Sequence, residues 1–82
     1  MVLTLYVNDP MGKRCCVNLE AARKVQEAYP IQLEVVRHGS EEYRGRTDPP
    51  PCPSVELDGR LIREYGVVSA EEIEKEILRF LI

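Results

Sequence analysis

The residues of this chain with the greatest capacity for chemistry are its three cysteines, Cys15, Cys16 and Cys52. The thiolate is the form of cysteine that attacks other sulfurs and binds metal ions, so the question is what would stabilise negative charge there. The first two cysteines stand at the predicted start of a helix, where unpaired backbone N–H groups and the macrodipole favour a thiolate. Lys13 and Arg14 add positive charge beside them. The pattern therefore indicates reactive or ion-binding sulfur at this helix start.

The two neighbouring cysteines are predicted to differ in their exposure. Cys16 lies three residues before Leu19, and this spacing assigns it to the apolar face of the helix. Cys15 is then the more accessible thiol. A bond between the two sulfurs would be strained, because neighbouring Cα atoms are only ~3.8 Å apart, below the roughly 4.4–6.8 Å usual for disulfides. An odd number of cysteines also argues against a purely structural disulfide framework.

Length and charge narrow the class of protein. Eighty-two residues predict one domain covering residues 1–82. A formal net charge of −3 argues against nucleic acid and anionic membranes as partners, because both need a basic surface. No apolar run approaches the ~20 residues of a membrane span, and the N-terminus has no signal-peptide features. We therefore expect a cytoplasmic protein, whose thiols stay reduced unless they do redox or metal chemistry.

The first half of the chain predicts a strand, a helix and a second strand. Residues 2–7 form a short apolar run typical of a strand buried on both faces. A turn is predicted over residues 8–12. A helix then begins near Cys15 or Cys16 and ends before Pro30, since apolar residues recur at helical spacing. Alternation over residues 31–37 predicts the second strand, which completes a right-handed β-α-β unit.

The second half predicts a long loop, a hairpin and a final helix. Residues 38–53 hold four prolines and show no periodicity. Asp58-Gly59 stands between two alternating runs and predicts a type I′ hairpin, because both turn positions need positive φ. Ser69 and Glu72 form a capping box ahead of the last helix. The predicted apolar face of that helix consists of Ile73, Ile77, Phe80 and Leu81.

This element order, with a cysteine at the first junction of strand and helix, resembles the thioredoxin-like fold over essentially the whole chain. The resemblance implies an α/β domain with β-α-β followed by β-β-α, a mixed four-stranded sheet, and helices packed on that sheet. It also implies a cis peptide before Pro53, with Pro53 packed against the redox centre at the helix start. Small glutaredoxin-like proteins are the nearest in length. Their Cys-x-x-Cys motif is missing, because Gly12 or Lys13 stands where its first cysteine would be.

In the family it resembles, this arrangement would bring Cys52 beside the helix start and make the chain a thiol-disulfide oxidoreductase. Cys15 would attack, and Cys52 or Cys16 would resolve the mixed disulfide. Pro53 would shape the groove for the partner, and Arg14 would contribute to a basic rim for an anionic thiol. The expected partner is a protein or a small thiol or disulfide, with no cofactor.

Two other functions remain open from the sequence. The three cysteines could hold a soft metal or metalloid, such as arsenite, copper(I) or an iron–sulfur unit, because soft ions prefer thiolate ligands. Arsenic metallochaperones of thioredoxin-like fold have adjacent cysteines after an Asp-Pro turn, similar to Asp9-Pro10 and Cys15-Cys16 here. The third hypothesis is a redox-inactive interaction module without thiol chemistry.

Overall fold

The sheet has four strands in the order β2-β1-β3-β4. In this computed structural model, which describes residues 1–81, β1 is parallel to β2 and antiparallel to β3, and β3 pairs antiparallel with β4. The predicted α/β class, the mixed four-stranded sheet and the order β-α-β then β-β-α are confirmed. The elements are β1 (Val2–Val7), α1 (Lys13–Ala28), β2 (Gln32–Arg37), α2 (Glu41–Arg44), β3 (Ser54–Leu57), β4 (Arg60–Arg63) and α3 (Ala70–Leu81).

The central strand β1 is buried on both faces, as its apolar sequence predicts. Leu3, Leu5 and Val7 point into the main core, beneath α1 and α3. Tyr6 points to the opposite face, where it packs with Val36 in a second, smaller cluster. Alternating side chains of one strand therefore hold both layers of the fold together.

The two long helices bury their apolar stripes against the sheet. Ala22 and Val25 of α1, and Ile73 and Ile77 of α3, are buried in the main core. The prediction that Phe80 and Leu81 share the buried face of α3 is wrong, because these side chains are 46% and 65% exposed. Within residues 1–81, no helix combines the length and the apolar character needed to cross a membrane.

Two local sequence signals fold as predicted. Asp58 and Gly59 have φ values of 48° and 83°, so the β3–β4 hairpin turns through positive φ at both central positions. Ser69 and Glu72 form the capping box before α3. The backbone N–H of Glu72 donates to Ser69 Oγ at 3.1 Å, and the backbone N–H of Ser69 donates to Glu72 Oε1 at 3.2 Å.

Helix α1 begins at Lys13, two or three residues earlier than predicted. The backbone N–H of Cys16 already donates to the carbonyl of Gly12 at 3.1 Å. Cys15 is therefore the third residue of the helix, within the first turn whose backbone N–H groups have no partner in the helix. Cys16 follows as the first residue with a complete helical hydrogen bond.

The segment 38–53 contains a short helix that the sequence analysis did not predict. Ser40 begins α2 by accepting a hydrogen bond from the backbone N–H of Tyr43 at 3.2 Å. One helical turn is too short to show a periodic pattern. Beyond α2, Arg46 forms an ion pair with Glu34 of β2 and lies 5.4 Å from the ring centroid of Tyr6. This segment therefore covers the sheet face opposite the long helices.

A buried amide connects α1 to the loop between β4 and α3. The side-chain Nδ2 of Asn18 donates to the carbonyl of Gly66 at 3.0 Å, and its Oδ1 accepts from the backbone N–H of Val68 at 2.9 Å. Both ends of the amide are thus satisfied in a site that water does not reach. This bridge determines how α1 packs beside the start of α3.

We expect Asn18→Ala to lower the free energy of unfolding by about 2–4 kcal/mol, because it leaves the buried N–H of Val68 and the partly buried carbonyl of Gly66 without this partner, at about 1–3 kcal/mol each. Urea titration followed by circular dichroism measures the change. Gln26→Ala is the matched control on the same helix. Its exposed amide makes a single 3.3 Å hydrogen bond to the carbonyl of Ile31, so its loss should cost less than about 1 kcal/mol. Equal effects of the two substitutions would contradict the bridging role.

Candidate functional site

Three chain segments meet at the carboxyl end of β1. In the antiparallel pair of β1 and β3, Tyr6 lies opposite Ser54. Cys52 and Pro53 come directly before β3. The peptide between Cys52 and Pro53 is cis, as predicted. The first turn of α1 adds Cys15, which contacts Asn8 from the helix side.

Cys15 is enclosed at this edge of the sheet. The residue is only 1% exposed. Its Sγ accepts a hydrogen bond from the backbone N–H of Asn8 at 3.3 Å, and the side-chain Nδ2 of Asn8 lies 3.9 Å from the same sulfur. N–H groups directed at a sulfur stabilise negative charge on it. Asn8 therefore provides the polar part of an otherwise apolar surrounding.

Cys52 lies in the smaller cluster on the other face of the sheet. It is 7% exposed and packs with Tyr6, Val36 and Tyr43. Burial raises the pKa of the Cys52 thiol, and the negative charge of Cys15 raises it further. Both effects favour the protonated form of Cys52.

The predicted exposures of the neighbouring cysteines are wrong, because Cys15 is buried and Cys16 is exposed. The buried stripe of α1 runs through Cys15, Asn18, Ala22 and Val25, at helical spacing. Because Asn18 is polar, it interrupts the apolar pattern by which this stripe would be recognised in the sequence. An assignment of the stripe through Leu19 shifts it by one residue, which moves the inferred face by about 100°.

The two residues predicted to contact a partner have other contacts. The guanidinium carbon of Arg14 lies 4.5 Å from the ring centroid of Tyr65, so this exposed cation covers an aromatic ring beside the helix start. Pro53 is fully buried, and its carbonyl accepts a hydrogen bond from the backbone N–H of Gly66 at 2.9 Å. Its side chain supports the start of β3 and has no surface to offer a partner.

The three sulfurs do not assemble into a ligand set. Cys16 turns to solvent while Cys15 and Cys52 turn inward. Among residues 1–81, no three histidine, cysteine or acidic side chains are grouped so that they could hold a metal ion. The three-cysteine metal site that the sequence left open therefore has no support in the geometry.

The sequence analysis missed two residues that shape this site. Asn8 was assigned to turn chemistry alone, although its amide contacts the Cys15 sulfur. Tyr43 packs against Cys52, and its hydroxyl donates to the carbonyl of Pro50 at 2.7 Å. Burial raises the pKa of Tyr43, and the charge of Cys52 adds to this. The only signal for Tyr43 was a single aromatic residue in a charged and proline-rich segment.

Comparison with known proteins identifies no relative of the chain. No protein-family model, curated protein or solved structure matches it. The chemistry of the site therefore has to be argued from its own residues.

The burial of Cys52 predicts a loss of stability in alkaline solution. The folded state raises the pKa of Cys52 above its value in the unfolded chain, so the unfolded chain releases this proton first. The contribution to the free energy of unfolding is complete below the ordinary thiol value of about pH 8.5 and is lost as the pH rises through the folded-state pKa. Urea titrations of the reduced protein on both sides of that value measure the slope.

Cys52→Ala should flatten this decline, whereas Cys16→Ala should leave it unchanged, because the Cys16 thiol is exposed. The pKa values of Tyr6 and Tyr43 are also raised by burial, so the comparison is made below about pH 9.5, before these groups ionise. A decline as steep in Cys52→Ala as in the parent protein would show that Cys52 is not its source.

Proposed function

We propose that this protein is a small thioredoxin-like protein that carries out thiol-disulfide exchange through Cys15 and Cys52. The observation that carries the proposal is the burial of both thiols near the carboxyl end of β1: Cys15 contacts Asn8, and Cys52 comes just before β3, whose first residue pairs with Tyr6. The charge of Cys15 is also one of the causes that raise the pKa of Cys52. The mixed sheet and the place of Cys15 in the first turn of α1 support the thioredoxin-like assignment. The exposed Cys16 is not part of the pair.

The exchange proceeds in two steps. The Cys15 thiolate attacks one sulfur of a partner disulfide, forms a mixed disulfide and expels the first partner thiolate. Cys52 then loses its proton and attacks the Cys15 sulfur, which closes the Cys15–Cys52 bond and expels the second partner thiolate. Two electrons pass to the partner, and the protons of the two cysteines end on its two thiols. Reduction of the pair by a dithiol reverses the sequence.

The effect of Cys15 on the pKa of Cys52 supports this order of steps. The charge of Cys15 is one of the two causes that raise the pKa of Cys52. Formation of the mixed disulfide removes that charge, so the pKa of Cys52 moves back toward its ordinary value. Cys52 is therefore a poor nucleophile while Cys15 is free and a better one when Cys15 has been consumed. This is the order that an attacking and a resolving cysteine require.

Access to the pair requires a local opening. Cys15 is covered by Asn8 and lies in the same core cluster against which Met11 packs. The turn formed by residues 8–12 must therefore move before a partner sulfur can approach Cys15, and local openings of this kind cost less than global unfolding. In the reducing cytoplasm the resting state of such a pair is the dithiol.

The test is oxidation of the reduced Cys16→Ser protein with 2-hydroxyethyl disulfide, an uncharged reagent. After an acid quench and trypsin digestion, we expect the peptides 15–23 and 47–60 to be joined by one disulfide. The Cys16→Ser background makes this assignment unique, since peptide 15–23 otherwise holds two cysteines. Adding Cys15→Ser or Cys52→Ser to this background should abolish the joined product.

A parallel reaction in urea compares the rate of disulfide formation in the folded protein with the rate in the unfolded chain. The proposal requires the folded protein to form the Cys15–Cys52 bond faster than the unfolded chain, because a fold that holds two thiols close together raises their effective concentration. If the parent protein oxidises only at Cys16, or forms the bond no faster when folded, the exchange function is wrong. The interaction module would then be the remaining hypothesis.

A further inference from the structure

The proposed exchange steps assign no role to the contact between the side-chain amide of Asn8 and the Cys15 sulfur. Asn8 follows the last residue of β1 and is half-buried. Its backbone N–H would reach Cys15 with almost any residue at this position, because that contact depends on the main chain alone. The amide Nδ2, at 3.9 Å from the same sulfur, is specific to asparagine among residues of this shape.

We propose that Asn8 is a positioning residue of the exchange site, whose side-chain amide holds the Cys15 sulfur and stabilises its thiolate. The inference rests on the proposed function, since it assigns to Asn8 an effect on the attacking thiol. Asn8 itself takes no part in bond formation. It acts through Cys15 by directing an N–H dipole at the sulfur, where low polarity strengthens the interaction.

The other charged and titratable groups around Cys15 are the same in the parent protein and in the Asn8 variants. Cys52 precedes β3, and the charge of Cys15 is one of the causes that raise its pKa. Asp9 belongs to the same turn as Asn8, and Lys13 and Arg14 stand on the helix; all three are exposed. Since these groups are identical in every Asn8 variant, a shift between variants reports the side chain at position 8.

Asn8→Asp is the sharpest probe because aspartate has the same shape as asparagine. It replaces the N–H donor with an acceptor and adds a negative charge beside the thiolate. Asn8→Ala removes the donor without adding charge. We therefore expect the pH at which Cys15 becomes a thiolate to rise in the order parent, Asn8→Ala, Asn8→Asp. Asp9→Asn, an exposed neighbour in the same turn, is the control for a charge change that does not contact the sulfur.

The experiment measures the rate of Cys15–Cys52 bond formation with 2-hydroxyethyl disulfide across a range of pH, in the Cys16→Ser background. Near pH 7, Asn8→Ala should react about threefold more slowly than the parent and Asn8→Asp about tenfold, which corresponds to a shift of about one pH unit. Above the shifted midpoint both variants should regain or exceed the parental rate, since a thiolate of higher pKa is intrinsically more nucleophilic. Asp9→Asn should stay near the parental profile.

A merely structural role would give a different result. If both Asn8 variants slow the reaction equally at all pH values, or if their midpoints equal that of the parent, the positioning role is wrong. The ultraviolet absorbance of the thiolate, titrated in the reduced protein, gives the midpoint without any exchange reaction. A shifted titration in a protein that forms no Cys15–Cys52 bond would support Asn8 while overturning the proposed function.

Discussion

The burial of β1 on both faces is the constraint on which the rest of the site depends. Leu3, Leu5 and Val7 are at most 1% exposed, and full burial of each such side chain stabilises the fold by about 1.5–3 kcal/mol. The strand is therefore held at every position up to its last residue. Asn8 then leaves the sheet at a defined place. Both the first turn of α1 and the approach to β3 are positioned relative to that place.

The same burial creates an electrostatic asymmetry between two otherwise identical side chains. Transfer of a thiolate from water into an apolar site is unfavourable unless N–H groups replace the lost hydration. Cys15 has such groups from Asn8, whereas the surroundings of Cys52 consist of Tyr6, Val36 and Tyr43. The sulfur of Cys15 thus has N–H groups directed at it, whereas burial raises the pKa of the Cys52 thiol.

The parts of the fold that the sequence predicted rest on short-range signals. The Asp58-Gly59 turn and the Ser69–Glu72 capping box are each complete within a few residues, so nothing distant can change them. The exposures of the two neighbouring cysteines depended on a longer pattern, in which a buried polar residue, Asn18, takes an apolar position. Its amide is satisfied by the loop after β4, some fifty residues away. No local pattern can reveal a hydrogen bond of that sequence separation.

The segment 38–53 shows why the second thiol was hardest to place from sequence. Its position depends on side chains that reach across the sheet rather than on periodic structure. Arg46 pairs with Glu34 and donates to the hydroxyl of Tyr6 at 3.2 Å, while Tyr43 donates to the carbonyl of Pro50, two residues before Cys52. The contacts that cover this face of the sheet thus also fix the position of the segment that contains Cys52. Because the same side-chain contacts cover this face and position Cys52, a chain of 82 residues can do both.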